Sequence, residues 1–133
     1  MAPDVTVRTI PIHGYDVRCY FECPSSMEVE IHCYRRVVDA NANKLQIVLR
    51  MCFYRNPDDI PLGKPDYDNL PIDLHYPLER FAPIYAVLHS GAPVEFFYEK
   101  TVDGKLFHRL HANTVGWISD HRLCDLTPAG LAD

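Results

Sequence analysis

No apolar run in these 133 residues approaches the roughly 18 that a membrane-crossing helix needs, so no helical span is expected. Positive charge is in short supply. Thirteen Lys and Arg stand against 18 Asp and Glu, and with seven His taken as neutral the formal net charge is −5. That balance favours solubility and excludes a general attraction to nucleic-acid phosphate. Glycine is scarce at six, against eleven prolines, which points to loops stiffened by proline and excludes a collagen-like or glycine-rich polymer. The five cysteines, Cys19, Cys23, Cys33, Cys52 and Cys124, are odd in number and fall in no C-x-x-C or zinc-ribbon spacing. No G-x-S-x-G, P-loop, G-x-G-x-x-G or H-E-x-x-H motif occurs, so no cofactor is implied. The start, Met1-Ala2-Pro3-Asp4-Val5-Thr6-Val7-Arg8, has no basic segment leading into an apolar one. A cytoplasmic protein with reduced thiols is expected, with export as the alternative if a leader has been removed.

What is present is a globular composition, 47% hydrophobic and 23% charged, at a length suited to a single domain over 1–133. Period-two alternation dominates and predicts strands with one buried face. Leu45, Ile47, Leu49, Met51 and Phe53 recur at every second position, with Gln46, Arg50 and Tyr54 at alternate positions; Val29, Ile31 and Cys33, and before them Val17, Cys19 and Phe21, alternate with polar neighbours. The polar loop at 39–43 pairs Val38 with Lys44, setting Cys33 opposite Leu49, Ile31 opposite Met51, Glu30 opposite Cys52 and His32 opposite Arg50. The turn at Pro24-Ser25-Ser26 pairs Phe21 with Val29 and so Cys19 with Ile31. All three apolar sets then share a face. An antiparallel meander within 1–55 is predicted, with a further strand around Val5, Val7 and Ile10, and Cys19 with Cys33 as the first disulfide to test.

Residues 56–77 lose all periodicity among prolines and read as a proline-rich connection. A β unit over 78–126 follows. It opens on an ambiguous stretch, 78–90, where Leu78, Phe81, Tyr85 and Leu88 keep helical spacing while Pro83 interrupts it, and where Ile84 to Leu88 reads equally as a short buried strand. Asp103-Gly104 then marks a hairpin. Pairing Val102 with Lys105 sets Phe97 opposite Leu110, Tyr98 opposite Arg109 and Glu99 opposite His108, whose pKa the carboxylate should raise. Val115 to Ser119 reads as one more strand.

Three runs in this half carry a resemblance: Val87-Leu88-His89-Ser90-Gly91-Ala92-Pro93-Val94, Phe107-His108-Arg109-Leu110, and Gly116-Trp117-Ile118-Ser119-Asp120-His121-Arg122-Leu123. Together they resemble the bacterial branch of the Src-homology-3-like barrels, over roughly residues 70–125. Phe107 stands where that family usually has tryptophan, and Arg122 where it often has tyrosine. The resemblance implies a small barrel packed with the meander, and a binding module for peptide or cell-wall material rather than a catalyst. Tyr67, Tyr76, Tyr98 and Trp117 could supply its aromatic ligand-binding surface.

Two constellations point elsewhere. His108 with His111, and His121 with Cys124, offer four metal-ligand types, but residues three apart on a strand face opposite ways. On the outer face of the meander, Cys52 stands near His32 and Glu30, a layout for nucleophilic catalysis that an open sheet surface leaves without oxyanion donors. The sequence is therefore read as a mainly β, metal-free binding protein for a protein, peptide or cell-wall ligand, with an inhibitor or immunity-type protein as a specialised form. A small hydrolase or metal-dependent enzyme using Cys52 and His32, or the C-terminal histidines, is the rival.

Overall fold

The computed structural model describes residues 6–39, 42–101 and 103–113. It is mainly β, with two sheets and one short α-helix. The first sheet orders β2 (Gly14–Cys19), β3 (Met27–Asp39), β4 (Ala42–Tyr54) and β5 (Ile72–Pro77); the second orders β1 (Thr6–Ile12), β6 (Val94–Lys100) and β7 (Leu106–Ala112). One core serves both. Ile31, Leu49 and Met51 of the first sheet share a buried cluster with Ile10, Phe96 and Tyr98 of the second. The predicted halves are thus interlocked, because β1 from the N-terminal segment pairs along β6 from Thr6↔Lys100 to Ile12↔Val94. His13 makes the corner between sheets, its backbone N–H donating to Tyr34 O (2.8 Å) and its Nδ1 accepting from Arg36 N (2.7 Å).

The β3–β4 register is as expected at the core end, with Ile31 opposite Met51, Glu30 opposite Cys52 and Cys33 opposite Leu49. Toward the loop it shifts by one, Val37 rather than Val38 facing Lys44. The extra residue is Val48. The irregularity lies between Cys33 and Tyr34 on the facing strand, and it lets Val48 and Leu49 both be fully buried, which strict alternation forbids.

Three further expectations need correction. The β2–β3 register is displaced by two residues, with Val17 opposite Ile31 and Tyr15 opposite Cys33. A displacement of two preserves the faces but carries Cys19 to the exposed end of the sheet and leaves Phe21 95% exposed. The cause is a wider turn, closed by Ser26 N to Cys23 O (3.1 Å) and tied to the end of β4 by Arg55 N to Ser26 O (3.0 Å). The displaced register also separates Cys19 from Cys33, the pair singled out for a disulfide test; Cys19, Cys23, Cys33 and Cys52 are all free thiols.

The second correction lies in 56–77, whose last residues form β5, parallel to β4 from Leu49↔Ile72 to Tyr54↔Pro77. Ile72 and Leu74 are buried and alternate with Asp73 and His75, a pattern hidden by the flanking prolines. The rest of the connection supplies the crossover that a parallel pair requires.

The third correction is the β6–β7 hairpin. Its turn is closed by Thr101 N to Lys105 O (2.8 Å) and Gly104 N to Thr101 O (3.0 Å), so Lys100 faces Leu106 and Tyr98 faces His108. Gly104 takes φ +81°, the left-handed residue of a three-residue hairpin loop. A slip of one residue turns every β7 side chain over, bringing Leu106, His108, Leu110 and Ala112 to the inner face.

The ambiguous stretch 78–90 resolves as a 3-10 turn, Leu78–Arg80, leading into α1 (Phe81–Leu88). Pro83 falls in the first turn of α1, where its missing N–H costs little. Phe81 lies edge-on to Phe53 (centroids 5.5 Å), and this contact seats the helix against the first sheet.

Leu49→Ala should lower the unfolding free energy by about 2–5 kcal/mol in denaturant titrations, since it opens a cavity in a fully buried site. Phe21→Ser should leave the midpoint unchanged; a loss as large as that of Leu49→Ala would reinstate the expected β2–β3 register.

Candidate functional site

The inward turn of β7 creates the most connected polar group of the interior. His108 Nδ1 lies 2.7 Å from Tyr67 Oη, and His108 Nε2 lies 2.6 Å from Tyr76 Oη. Tyr67 comes from the connection, Tyr76 from β5 and His108 from β7, so three separate parts of the chain meet at one imidazole. Tyr98 completes the group from β6: its ring stacks on Tyr67 (centroids 4.5 Å, 20°) and its hydroxyl donates to the Tyr67 carbonyl (3.1 Å). Arg8 Nη1 donates to the Tyr98 hydroxyl at 3.3 Å. Phe96 packs 5.5 Å from the imidazole.

Burial sets the charge state of this group. It lowers the pKa of His108 and raises those of Tyr67 and Tyr76, so all three are neutral at physiological pH. The expected upward shift of His108 by Glu99 is overturned, because Glu99 faces Phe107 and His108 sits on the other side of the sheet.

Three cavities meet at His108. One, of about 490 Å³, lies under the loop from Pro61 to Pro71 and is bounded by Tyr76. A second, of about 560 Å³, is a cleft between α1 and β7 whose apolar lining includes Met51, Ile84, Val87, Phe96 and Leu110 and whose polar lining is Tyr76, His108, Glu79, Arg80 and Arg109. A third, of about 720 Å³, lies between Tyr67 and the β6–β7 turn. Volumes of this size suit a small ligand or a short stretch of peptide.

No known protein family, curated protein or solved structure matches this chain.

Of the four aromatic residues expected to bind ligand, Tyr67, Tyr76 and Tyr98 do come together; Trp117 lies outside the described residues, as do His121, Cys124 and the strand expected at 115–119. The three tyrosines do not form an exposed platform. Tyr98 is 1% and Tyr67 6% exposed; Tyr76 borders the first two cavities and Tyr67 the third. Sequence reasoning missed His108 as the centre, since the assumed hairpin register turned it outward. It also missed Arg80, which no motif marks. His108 and His111 face opposite sides of β7, and no group of three metal-ligating side chains converges among the described residues.

The outer face of the first sheet holds Glu30, His32 and Cys52 at the expected register, but with the carboxylate in the middle. His32 Nε2 lies 3.0 Å from Glu30 Oε1, Tyr20 donates to the same oxygen (2.8 Å), and the Cys52 thiol donates to Glu30 Oε2 (3.7 Å). Burial, reinforced by the Glu30 charge, pushes the Cys52 pKa up to about 12. A thiol held protonated by a carboxylate is the reverse of an activated nucleophile. Arg50 and Asp73 close the row in a two-pronged pair (2.7 and 3.2 Å), and Tyr54 bonds His75 at 2.9 Å. These contacts cover the sheet face, fixing β5 to β4.

Cys23 differs from Cys52: the Ser25 hydroxyl bonded to it lowers its pKa. Iodoacetamide at mildly alkaline pH should label Cys23 well before Cys52, as read by peptide mass spectrometry; preferential labelling of Cys52 would restore the nucleophile reading. An NMR titration should place His108 below the usual histidine range. Stability should then decline as pH falls through that range, because the unfolded chain takes up a proton that the folded chain refuses. A His108 that titrates above the usual range would overturn its buried, neutral state.

Proposed function

We propose that this protein is a non-catalytic binding module that takes an apolar peptide segment of a partner protein into the cleft between α1 and β7. The observation that carries the reading is the lining of that cleft: a neutral His108 bonded to Tyr67 and Tyr76, together with Met51, Ile84, Val87, Phe96 and Leu110. Apolar walls with a few fixed polar groups are the usual build of a recognition site. His108 and its tyrosines are shifted away from ionisation, the imidazole downward and the phenols upward, which suits hydrogen bonding and opposes proton or nucleophile chemistry at neutral pH.

The aromatic residues first singled out act here from behind. Tyr98 and Tyr67 stack to hold the imidazole, and Tyr76 is the member that reaches the ligand space. The resemblance to Src-homology-3-like barrels supports the same class of function, since its Phe107-His108-Arg109-Leu110 run lies on the strand that forms one wall of the cleft. A protein or peptide partner is accordingly the expected ligand, in preference to nucleic acid.

Titration of methyl-labelled protein with short, uncharged apolar peptides, acetylated and amidated at their ends, should give saturable shifts at Ile84, Val87 and Leu110. Ile84→Ser should weaken that binding about tenfold, the equivalent of about 1.4 kcal/mol. Shifts confined to other surfaces, or none at millimolar peptide, would overturn the proposal.

A further inference from the structure

The Tyr67–His108–Tyr76 group has one proton more than its own hydrogen bonds can use. A neutral imidazole carries a single ring N–H, yet both its nitrogens bond tyrosine oxygens, at 2.7 and 2.6 Å. At one nitrogen the ring donates and the phenol oxygen accepts. At the other the lone pair accepts from the phenol O–H. The tyrosine at the donating nitrogen therefore keeps its own O–H, and neither the Tyr67 nor the Tyr76 hydroxyl has another hydrogen-bond partner among the described residues. A part-buried donor without an acceptor is costly, so the spare proton turns toward a cavity.

The imidazole tautomer decides which cavity receives it. With the proton on Nε2, Tyr76 is the free donor, into the α1–β7 cleft and the space under the 61–71 loop. With the proton on Nδ1, Tyr67 is the free donor, into the cavity beside the β6–β7 turn. An acceptor bound in the α1–β7 cleft thus selects the Nε2–H form.

The charge lining the same cleft says which acceptor. Arg80 lines it, has no hydrogen bond or ion pair among the described residues, and its positive charge acts on the Tyr76 hydroxyl. Glu79 also lines the cleft, yet no ion pair joins it to Arg80 among the described residues. Arg109, the other cation there, has its guanidinium 4.4 Å over the Phe97 ring. One free guanidinium and one neutral hydroxyl, next to apolar walls, match a single carboxylate on an apolar chain. We infer that the α1–β7 cleft captures the free C-terminal carboxylate of an apolar peptide, received by Arg80 and the Tyr76 hydroxyl, with the proton of His108 held on Nε2. This inference rests on the binding role proposed above and adds the ligand group that the cleft reads.

The test compares one acetylated apolar peptide with a free C-terminus, the same peptide amidated, and decanoate, each titrated into ¹⁵N-labelled protein. The free acid should bind about tenfold or more tightly than the amide, and should move the His108 ring ¹⁵N shifts to the Nε2–H pattern. Arg80→Gln, at an exposed position, should bring the acid-to-amide ratio to about one; Tyr76→Phe should abolish the tautomer response. Equal affinity of acid and amide in the cleft would overturn the carboxylate inference while leaving the binding reading intact. Failure of both to bind would overturn the two together. Decanoate binding more tightly than the peptide acid would overturn the peptide as the source of the carboxylate.

Discussion

His108 is bonded on both sides by tyrosines that belong to different parts of the chain, and the second sheet is coupled to the first through that pair of bonds. The Tyr67 bond fixes the connection after β4, and the Tyr76 bond fixes the inner face of β5. Each is worth only about 0.5–1.5 kcal/mol net, but a broken one leaves a buried donor or acceptor at greater cost. The group is therefore more constraint than glue. Its geometry requires the β6–β7 register, the parallel docking of β5 and the path of the 56–71 segment to be right together.

The two faces of the first sheet divide labour around this constraint. Inward, Ile31, Leu49, Met51 and Phe53 are nearly inaccessible to water and supply the hydrophobic stabilisation. Outward, Glu30, His32 and Cys52 form a polar patch in which the carboxylate is already engaged by Tyr20, His32 and the thiol. Those contacts hold the Glu30 pKa low against burial, and the same charge helps keep Cys52 protonated. What resembles a catalytic triad by residue type is, by arrangement, a carboxylate satisfied by its neighbours. The inner cavities, where His108 and its tyrosines are neutral and one hydroxyl proton is left over, are the better place to look for recognition.

Much of this fold was legible as alternation. The core end of β3–β4 follows from two apolar series meeting across a polar loop, and Glu30 opposite Cys52 follows from it. Spacing alone left the helix in balance with a short strand at Ile84–Leu88; the place of Pro83 in the first turn removes the objection to the helix. The misses share a physical cause. Turn length, which sets register, depends on a few backbone hydrogen bonds: Ser26 to Cys23 at one end of the first sheet, Thr101 to Lys105 in the hairpin. The Val48 irregularity and the strand at Ile72–Pro77 likewise depend on what each segment packs against.

Composition and period alone determined a mainly β chain and left 78–90 open between helix and strand, while the barrel resemblance drew attention to Tyr67, Tyr76, Tyr98 and Trp117. Only the tertiary structure decided that these tyrosines surround His108 from within. A strand pattern fixes which residues share a face, but in the β6–β7 hairpin one residue of turn geometry chooses which face is buried. That choice took His108 from the surface, where a carboxylate would have charged it, to the interior, where burial keeps it neutral and its ring donates to one phenol and accepts from the other.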